Sequence, residues 1–226
     1  MHFEQIDSTN SYARRSVANL PLPCLITADA QTGGRGRQGR SFFSPKSTGL
    51  YMTLVFSPDK PLGLVTPAAA VAVCEALEDF GVKNLGIKWV NDIFLDGKKV
   101  CGILCEHFFE DGKEYISVGI GINLTTAEFP EQLTAAGSIN LDLPKVVLSD
   151  AIAEKLLKYA NNPNDSFICS EYEKRLFFLG KDISFIQNGI PFTAVALGIN
   201  DECNLRVRLP DSSVKVLSSG EISIKI

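Results

Sequence analysis

The chain has little of what builds several common kinds of site. Only two of its 226 residues are histidine (His2 and His107) and only one is tryptophan (Trp89). Six cysteines (Cys24, Cys74, Cys101, Cys105, Cys169 and Cys203) are scattered, with no Cys-x-x-Cys among them. A thiolate or imidazole metal centre is disfavoured, and free, mostly buried thiols in a reducing compartment are expected. There is no apolar run long enough to span a bilayer and no charged-then-apolar leader, so the expected place is the cytoplasm, away from the membrane. No Gly-x-x-x-x-Gly-Lys-Ser/Thr run exists, which excludes a P-loop. No repeat or low-complexity tract is visible. A net charge of -4 and a pI near 5.3 argue against general nucleic-acid binding. No helix-turn-helix signal precedes the first strand, so no DNA contact is expected. A hydrophobic content of 45% is ample for one full-sized domain with a small second one.

Acidic residues are also missing from one long stretch. Ala30 to Pro58 contains no Asp or Glu. Inside it lies Gln31-Thr32-Gly33-Gly34-Arg35-Gly36-Arg37-Gln38-Gly39-Arg40, with four glycines and three arginines. Glycine admits positive φ and close backbone approach, successive N–H groups make an anion nest, and arginine adds planar donors for carboxylate or phosphate. Such a loop suits a small, polyoxygenated anion. Gly34 to Gly39 also fits Gly-x-Gly-x-x-Gly, but Ser41-Phe42-Phe43-Ser44-Pro45 follows where a dinucleotide site needs a helix. A solvated basic loop, or a patch for RNA, is the plainer reading.

The pattern predicts a short strand over 2–7, a helix from Ser8-Thr9-Asn10 to about Asn19, and strands over 24–28 and 50–56. Thr66-Pro67 opens a helix that Gly81 closes. Strands over 86–89, 93–95, 99–109 and 115–122 follow, with Asp96-Gly97 and Asp111-Gly112 as hairpin turns. The stretch 125–143 reads as a mobile loop. Helices are expected from Ser149 to about Ala160 and from Asp165 to Leu179. Past Lys181 come short strands with turns at Asn188-Gly189, Asn200-Asp201, Pro210-Asp211 and Ser219-Gly220. The expected fold is α+β: a mixed, largely antiparallel sheet with packed helices over 1–180, and a small β-barrel over 181–226.

Three further blocks carry polar chemistry. Lys88-Trp89-Val90-Asn91-Asp92 leaves a strand with a cation, an amide and a carboxylate. Lys99-Val100-Cys101-Gly102-Ile103-Leu104 begins a strand with lysine. Gly119-Ile120-Gly121-Ile122-Asn123 ends a strand with two glycines on one face, which marks close approach by a ligand or another backbone. Singly, each has a plainer reading: solvated lysines, a core tryptophan, an Asn-Asp turn, packing glycines, a helix cap at Ser8-Thr9-Asn10.

In this order the blocks resemble the biotin protein ligase family. The pattern is Ser-Thr-Asn, Gln-x-x-Gly-Arg-Gly-Arg-x-Gly-Arg, Lys-Trp-x-Asn-Asp, Lys-x-x-Gly-Ile-Leu and Gly-x-Gly-Ile-Asn, spanning Ser8 to Asn123. The resemblance implies a catalytic domain like that of class II aminoacyl-tRNA synthetases and an SH3-like C-terminal barrel. It further implies the monofunctional type, without the DNA-binding domain of some members. It implies activation of biotin by ATP, with Mg²⁺, to biotinyl-5′-AMP, then transfer to a lysine of a biotin carboxyl carrier protein domain. Ser8, Thr9 and Gln31 match residues that hold the ureido head of biotin. Gly34, Gly119 and Gly121 match positions of backbone approach, with Trp89 beside the site. Lys99, with Arg35 and Arg37, matches the catalytic cations. Asn10, Gly36, Arg40, Lys88, Asn91 and Gly102 fall among the ligand-binding blocks. Asn123 matches a residue near the adenine, Phe42 an aromatic position in the ordering loop, and Asp92 is the candidate metal-proximal carboxylate. Val90 stands where the family has proline, so small changes in the presentation of Asn91 and Asp92 are expected. The arginine loop and 125–143 are expected to be disordered when empty and to fold over the adenylate.

The nearest rival is a lipoate or octanoate ligase or transferase of the same fold. Ser8, Thr9 and Gln31 suit a polar ring better than a bare acyl chain. An RNA-binding module and a degenerate ligase that only stores biotin are further alternatives. Whether the protein is a monomer or a homodimer stays open, because an exposed sheet edge serves dimerisation and carrier docking alike.

Overall fold

The computed structural model describes residues 1–58, 63–187 and 189–224. Asn188, half of one expected turn, lies outside them. A seven-stranded sheet is built from β1 (His2–Phe3), β2 (Cys24–Ala28), β3 (Gly49–Phe56), β4 (Gly86–Lys88), β5 (Asp92–Leu95), β6 (Lys98–Glu110) and β7 (Lys113–Asn123). Its order is β1-β2-β3-β7-β6-β5-β4. Only β1 and β2 run parallel; every other pair is antiparallel. Asp96-Gly97 and Asp111-Gly112 take positive φ and close the β5–β6 and β6–β7 hairpins, as their residue types require.

β3 is buried at every position because both faces of the sheet are covered. Leu50, Met52, Leu54 and Phe56 face the large core with α2 (Val65–Asp79) and α3 (Lys145–Asn161). Val55 faces a smaller cluster with Ala13 and Val17 under α1 (Thr9–Ser16). Between these layers, Thr53 points at α1 and meets Thr9 and Asn10.

Several boundaries differ from the sequence reading. β1 stops at Phe3, and Ile6 makes only a bridge to Gln31. α1 ends at Ser16 and passes into a 3₁₀ turn over Val17–Asn19. α3 starts earlier, at Lys145 directly after Pro144. The last helix, α4 (Asp165–Lys174), stops before Leu179 because the chain turns to pair with β4: Ile87 N donates to Arg175 O at 2.7 Å. The expected mobile loop is bound by its backbone. Lys99 N donates to Ala135 O, Gly137 N donates to Lys99 O, and Ile139 N donates to Asn123 O. Such bonds leave no periodic side-chain signal.

The C-terminal part is a five-stranded antiparallel sheet of β8 (Asp182–Gln187), β9 (Ile190–Ile199), β10 (Leu205–Arg208), β11 (Val214–Leu217) and β12 (Ile222–Ile224). Its order is β11-β10-β9-β8-β12. Ile183, Ala196, Leu205, Val207 and Ile222 join the same large core as the seven-stranded sheet, so the small sheet leans on the large one. Among the described residues, no helix is long and apolar enough to cross a membrane.

Candidate active site

One cavity of about 900 Å³, counting its open mouth, runs from α1 across β7 and β6 to the C-terminal sheet. Its floor is a buried polar network. Thr9 N donates to Gln31 Oε1 at 2.9 Å, and Gln31 Nε2 donates to Ser44 Oγ at 3.0 Å. Thr53 Oγ1 stands 2.6 Å from Asn10 Oδ1 and 2.8 Å from Thr9 Oγ1, with one proton to give between them. Asn10 Nδ2 donates to Leu104 O and to Glu106 Oε2. Ser8 caps α1, its Oγ accepting from Ser11 N. Gly119 is what lets this network form. A Cβ there would lie 1.9 Å from Asn10 Oδ1.

Above the floor lies the arginine loop. Gly36 N donates to Arg40 O, and Gln38 and Gly39 both have positive φ, so the loop doubles back tightly. The turn aims its three arginines at separate partners. Arg35 forms two hydrogen bonds of 3.0 Å with Glu106. Arg37 Nη1 donates to Asn91 Oδ1 at 3.3 Å. Arg40 pairs with Glu221, at the start of the last strand of the C-terminal sheet. The Arg40 guanidinium holds the Glu221 carboxyl below its ordinary value, with smaller help from Lys88 and Lys99. The Phe42 ring lies across β6 and β7: a Cβ on Gly121 would meet it at 2.5 Å and one on Gly102 at 3.1 Å.

The far wall carries the lysine. Lys99 Nζ is 2.6 Å from Asp92 Oδ1. This is an ion pair set off the hydrogen-bonding direction, so that buried carboxylate oxygen is left without a hydrogen bond. Lys99 is held at its main chain by the 124–141 segment. Trp89 is buried, and its Nε1 donates to Cys203 O at 3.0 Å. Val90 lies in a turn, its carbonyl accepting from Tyr172 Oη at 2.7 Å, and the Trp89–Val90 peptide is cis.

The cavity wall thus gathers all the predicted site residues except two. Gly34 packs inside the loop, where a Cβ would meet Phe42 O at 2.5 Å. Asn123 turns away and donates from Nδ2 to Gly137 O at 3.0 Å, bracing the segment beside Lys99. The sequence reading missed Glu106, Glu221 and Thr53. Glu106 lies two residues beyond the Lys-x-x-Gly-Ile-Leu block. Thr53 is a hydroxyl inside an apolar strand, a signal available from the sequence. Glu221 follows the Ser219-Gly220 turn, and nothing local shows that it reaches Arg40.

Residues 2–123 match the biotin/lipoate A/B protein ligase family. The chain belongs to that family. Residues 178–225 match the biotin protein ligase C-terminal domain. Among its curated relatives, the bifunctional ligase/repressor BirA of Bacillus spizizenii is 31% identical over 215 residues, 89% of this chain and 66% of that protein. The BirA protein of Escherichia coli is 28% identical over 97% of this chain and 72% of its own length. The biotin protein ligase of Aquifex aeolicus, solved in complex with biotin and ATP, superposes with a TM-score of 0.82 at 26% identity, covering 100% of this chain and 97% of that one. The cavity wall carries five cations, Arg35, Arg37, Arg40, Lys88 and Lys99.

Proposed function

We propose that the protein joins biotin to ATP and then passes the biotinyl group to a lysine of a carrier domain. The observation that carries this reading is one cavity that combines a buried amide and hydroxyl floor with Arg35, Arg37, Arg40 and Lys99. Thr9, Gln31 and Ser8 offer donors and acceptors to a ureido ring. A floor of this polarity disfavours a bare acyl chain, whose binding would leave its groups unpaired. The lipoate or octanoate reading remains the rival, because the matched family includes lipoate ligases by its description.

In the first step a carboxylate oxygen attacks the α-phosphorus and pyrophosphate leaves. Both reactants are anions, and the arginine loop offsets their repulsion by trading Glu106, Asn91 and Glu221 for substrate oxygens. Lys99 stands where charge grows, between carboxylate and α-phosphate, and stabilises it. In the second step the carrier amine attacks the acyl carbon and AMP leaves. Closure of the arginine loop and Phe42 over the adenylate keeps water out.

Among the described residues no three His, Cys, Asp or Glu side chains cluster as a metal cage. Asp92 Oδ1 makes no hydrogen bond but has Lys99 Nζ 2.6 Å away, so it fits a divalent cation that takes its other oxygens from a triphosphate and water only once Lys99 has moved to the substrate. Mg²⁺ bound there would neutralise phosphate charge. The reading includes a division at residue 180, a cytoplasmic location in keeping with six free thiols, and a carrier domain of a biotin-dependent carboxylase as acceptor.

The test is pyrophosphate exchange into ATP with biotin, lipoate, octanoate or no acid. Exchange with biotin alone supports the reading. Exchange with lipoate or octanoate moves the protein to the rival, and none with any acid removes the catalytic reading.

A further inference from the structure

Two thiols meet outside the cavity. Cys169 lies on α4, and Cys203 lies in the turn between β9 and β10. Their sulfurs are 2.8 Å apart, a short step from the covalent distance of about 2.05 Å. Neither side of the contact is loose. The turn is pinned by Asn200, whose Oδ1 accepts from Glu202 N and Asn204 N while its carbonyl accepts from Cys203 N. Beside Cys169 on the same helix, Glu173 Oε1 accepts from Ile199 N at 2.9 Å.

We propose that Cys169 and Cys203 form a reversible disulfide, oxidised by a low-molecular-weight disulfide, which staples α4 to the C-terminal sheet. The site goes beyond the ligase reading and does not rest on it. Cys169 is half-buried and reachable, whereas Cys203 is 4% exposed. Cys169 therefore attacks first: its thiolate displaces one small thiol and holds the other as a mixed disulfide. Cys203 Sγ, giving its proton to the departing thiolate, then displaces the second small thiol. Two protein thiols lose two electrons and two protons, and the oxidant leaves as two thiols.

The other thiols do not compete. Burial pushes Cys74 up to about 12 and Cys105 up to about 11, and Cys101 well above its ordinary value. Thiols so far from the thiolate form are slow to attack a small disulfide; Cys203 is pushed up as well, by burial and by Cys169, so it acts only as the resolving thiol against the sulfur 2.8 Å away. The staple has a reach into the cavity as well. Cys203 O is the acceptor for Trp89 Nε1, so the bond would fix the turn on which the only tryptophan hangs.

Reduced protein is incubated with excess oxidised glutathione, remaining thiols are blocked, and the digest is mapped by mass. The expected result is one joined peptide pair carrying Cys169 and Cys203, and an intact mass lower by the two thiol hydrogens. No glutathione is retained, dithiothreitol reverses the change, and the oxidised protein melts at a higher temperature than the reduced one. C169S, at the more exposed of the two sites, gives no joined pair and no rise in melting temperature with oxidant. Glutathione left on Cys169, a different joined pair, or two free thiols in the wild type would overturn the proposal.

Discussion

Glu106 accepts two hydrogen bonds from Arg35 and a third from Asn10, so one carboxylate ties the arginine loop to the floor of the cavity. Its side chain is only 15% exposed, against 43% for Arg35. Glu106→Gln keeps the size and the contact to Asn10 but removes the charge that holds the guanidinium. The expected loss of local stability is about 1 kcal/mol, at the upper end for a pair open to solvent on one side. That corresponds to roughly fivefold faster amide exchange across the loop. Unchanged exchange there would show that Arg35 is held by something else.

Lys99 and Asp92 make the second prediction. Under the proposed function, Lys99→Ala removes the cation that serves the two reacting anions, an expected loss of about 3 kcal/mol or roughly a hundredfold in adenylation rate. The variant folds, because the main chain of Lys99 keeps its bonds to Ala135 and Gly137. Near-normal pyrophosphate exchange by a folded K99A protein would remove the lysine from the mechanism.

Gly119→Ala tests the floor. β7 is paired on both sides there, to Thr53 and to Leu104, so the strand cannot shift to clear the added methyl. Asn10 must leave instead, and with it the contact to Thr53. Overpacking of this kind costs about 1–3 kcal/mol, read as a lower urea midpoint. An unchanged midpoint would mean that Asn10 has a second resting place.

Acid should weaken the fold through its paired carboxylates. The Lys174 and Arg175 side chains hold the Glu171 carboxyl below its ordinary value of 4.5, and Arg40 does the same for Glu221. A depressed native value means that the stability is present above 4.5 and is lost as the pH falls through the native value. Glu171 carries more of it, because its side chain is 19% exposed against 45% for Glu221. Glu171→Gln is expected to melt lower than the wild type at neutral pH and to converge with it once the pH has fallen through the lowered native value of Glu171. Parallel curves over the whole range would contradict this.

Much of the fold could be read from residue types because the signals were local. The Asp-Gly pairs at 96 and 111 fix two hairpins by their conformation, and Gly81 ends α2 with a positive φ. The site could be read because its cations and amides sit in tight blocks at strand ends. What escaped depends on distant contacts. α4 is cut short by pairing with β4, a partner far back in the sequence. The stretch after Asn123 looked unstructured because its bonds run from backbone to backbone along Lys99. Asn123 braces that stretch through Nδ2, a contact that nothing near it in the sequence signals. Glu221 is 181 residues from the arginine it faces.

The cavity wall starts at Ser8 and is completed by Glu221. During synthesis the arginine loop is therefore made long before the acid that pairs with Arg40. The arginine loop and the C-terminal sheet thus close the site together: without Glu221, Arg40 has no carboxylate to set its direction.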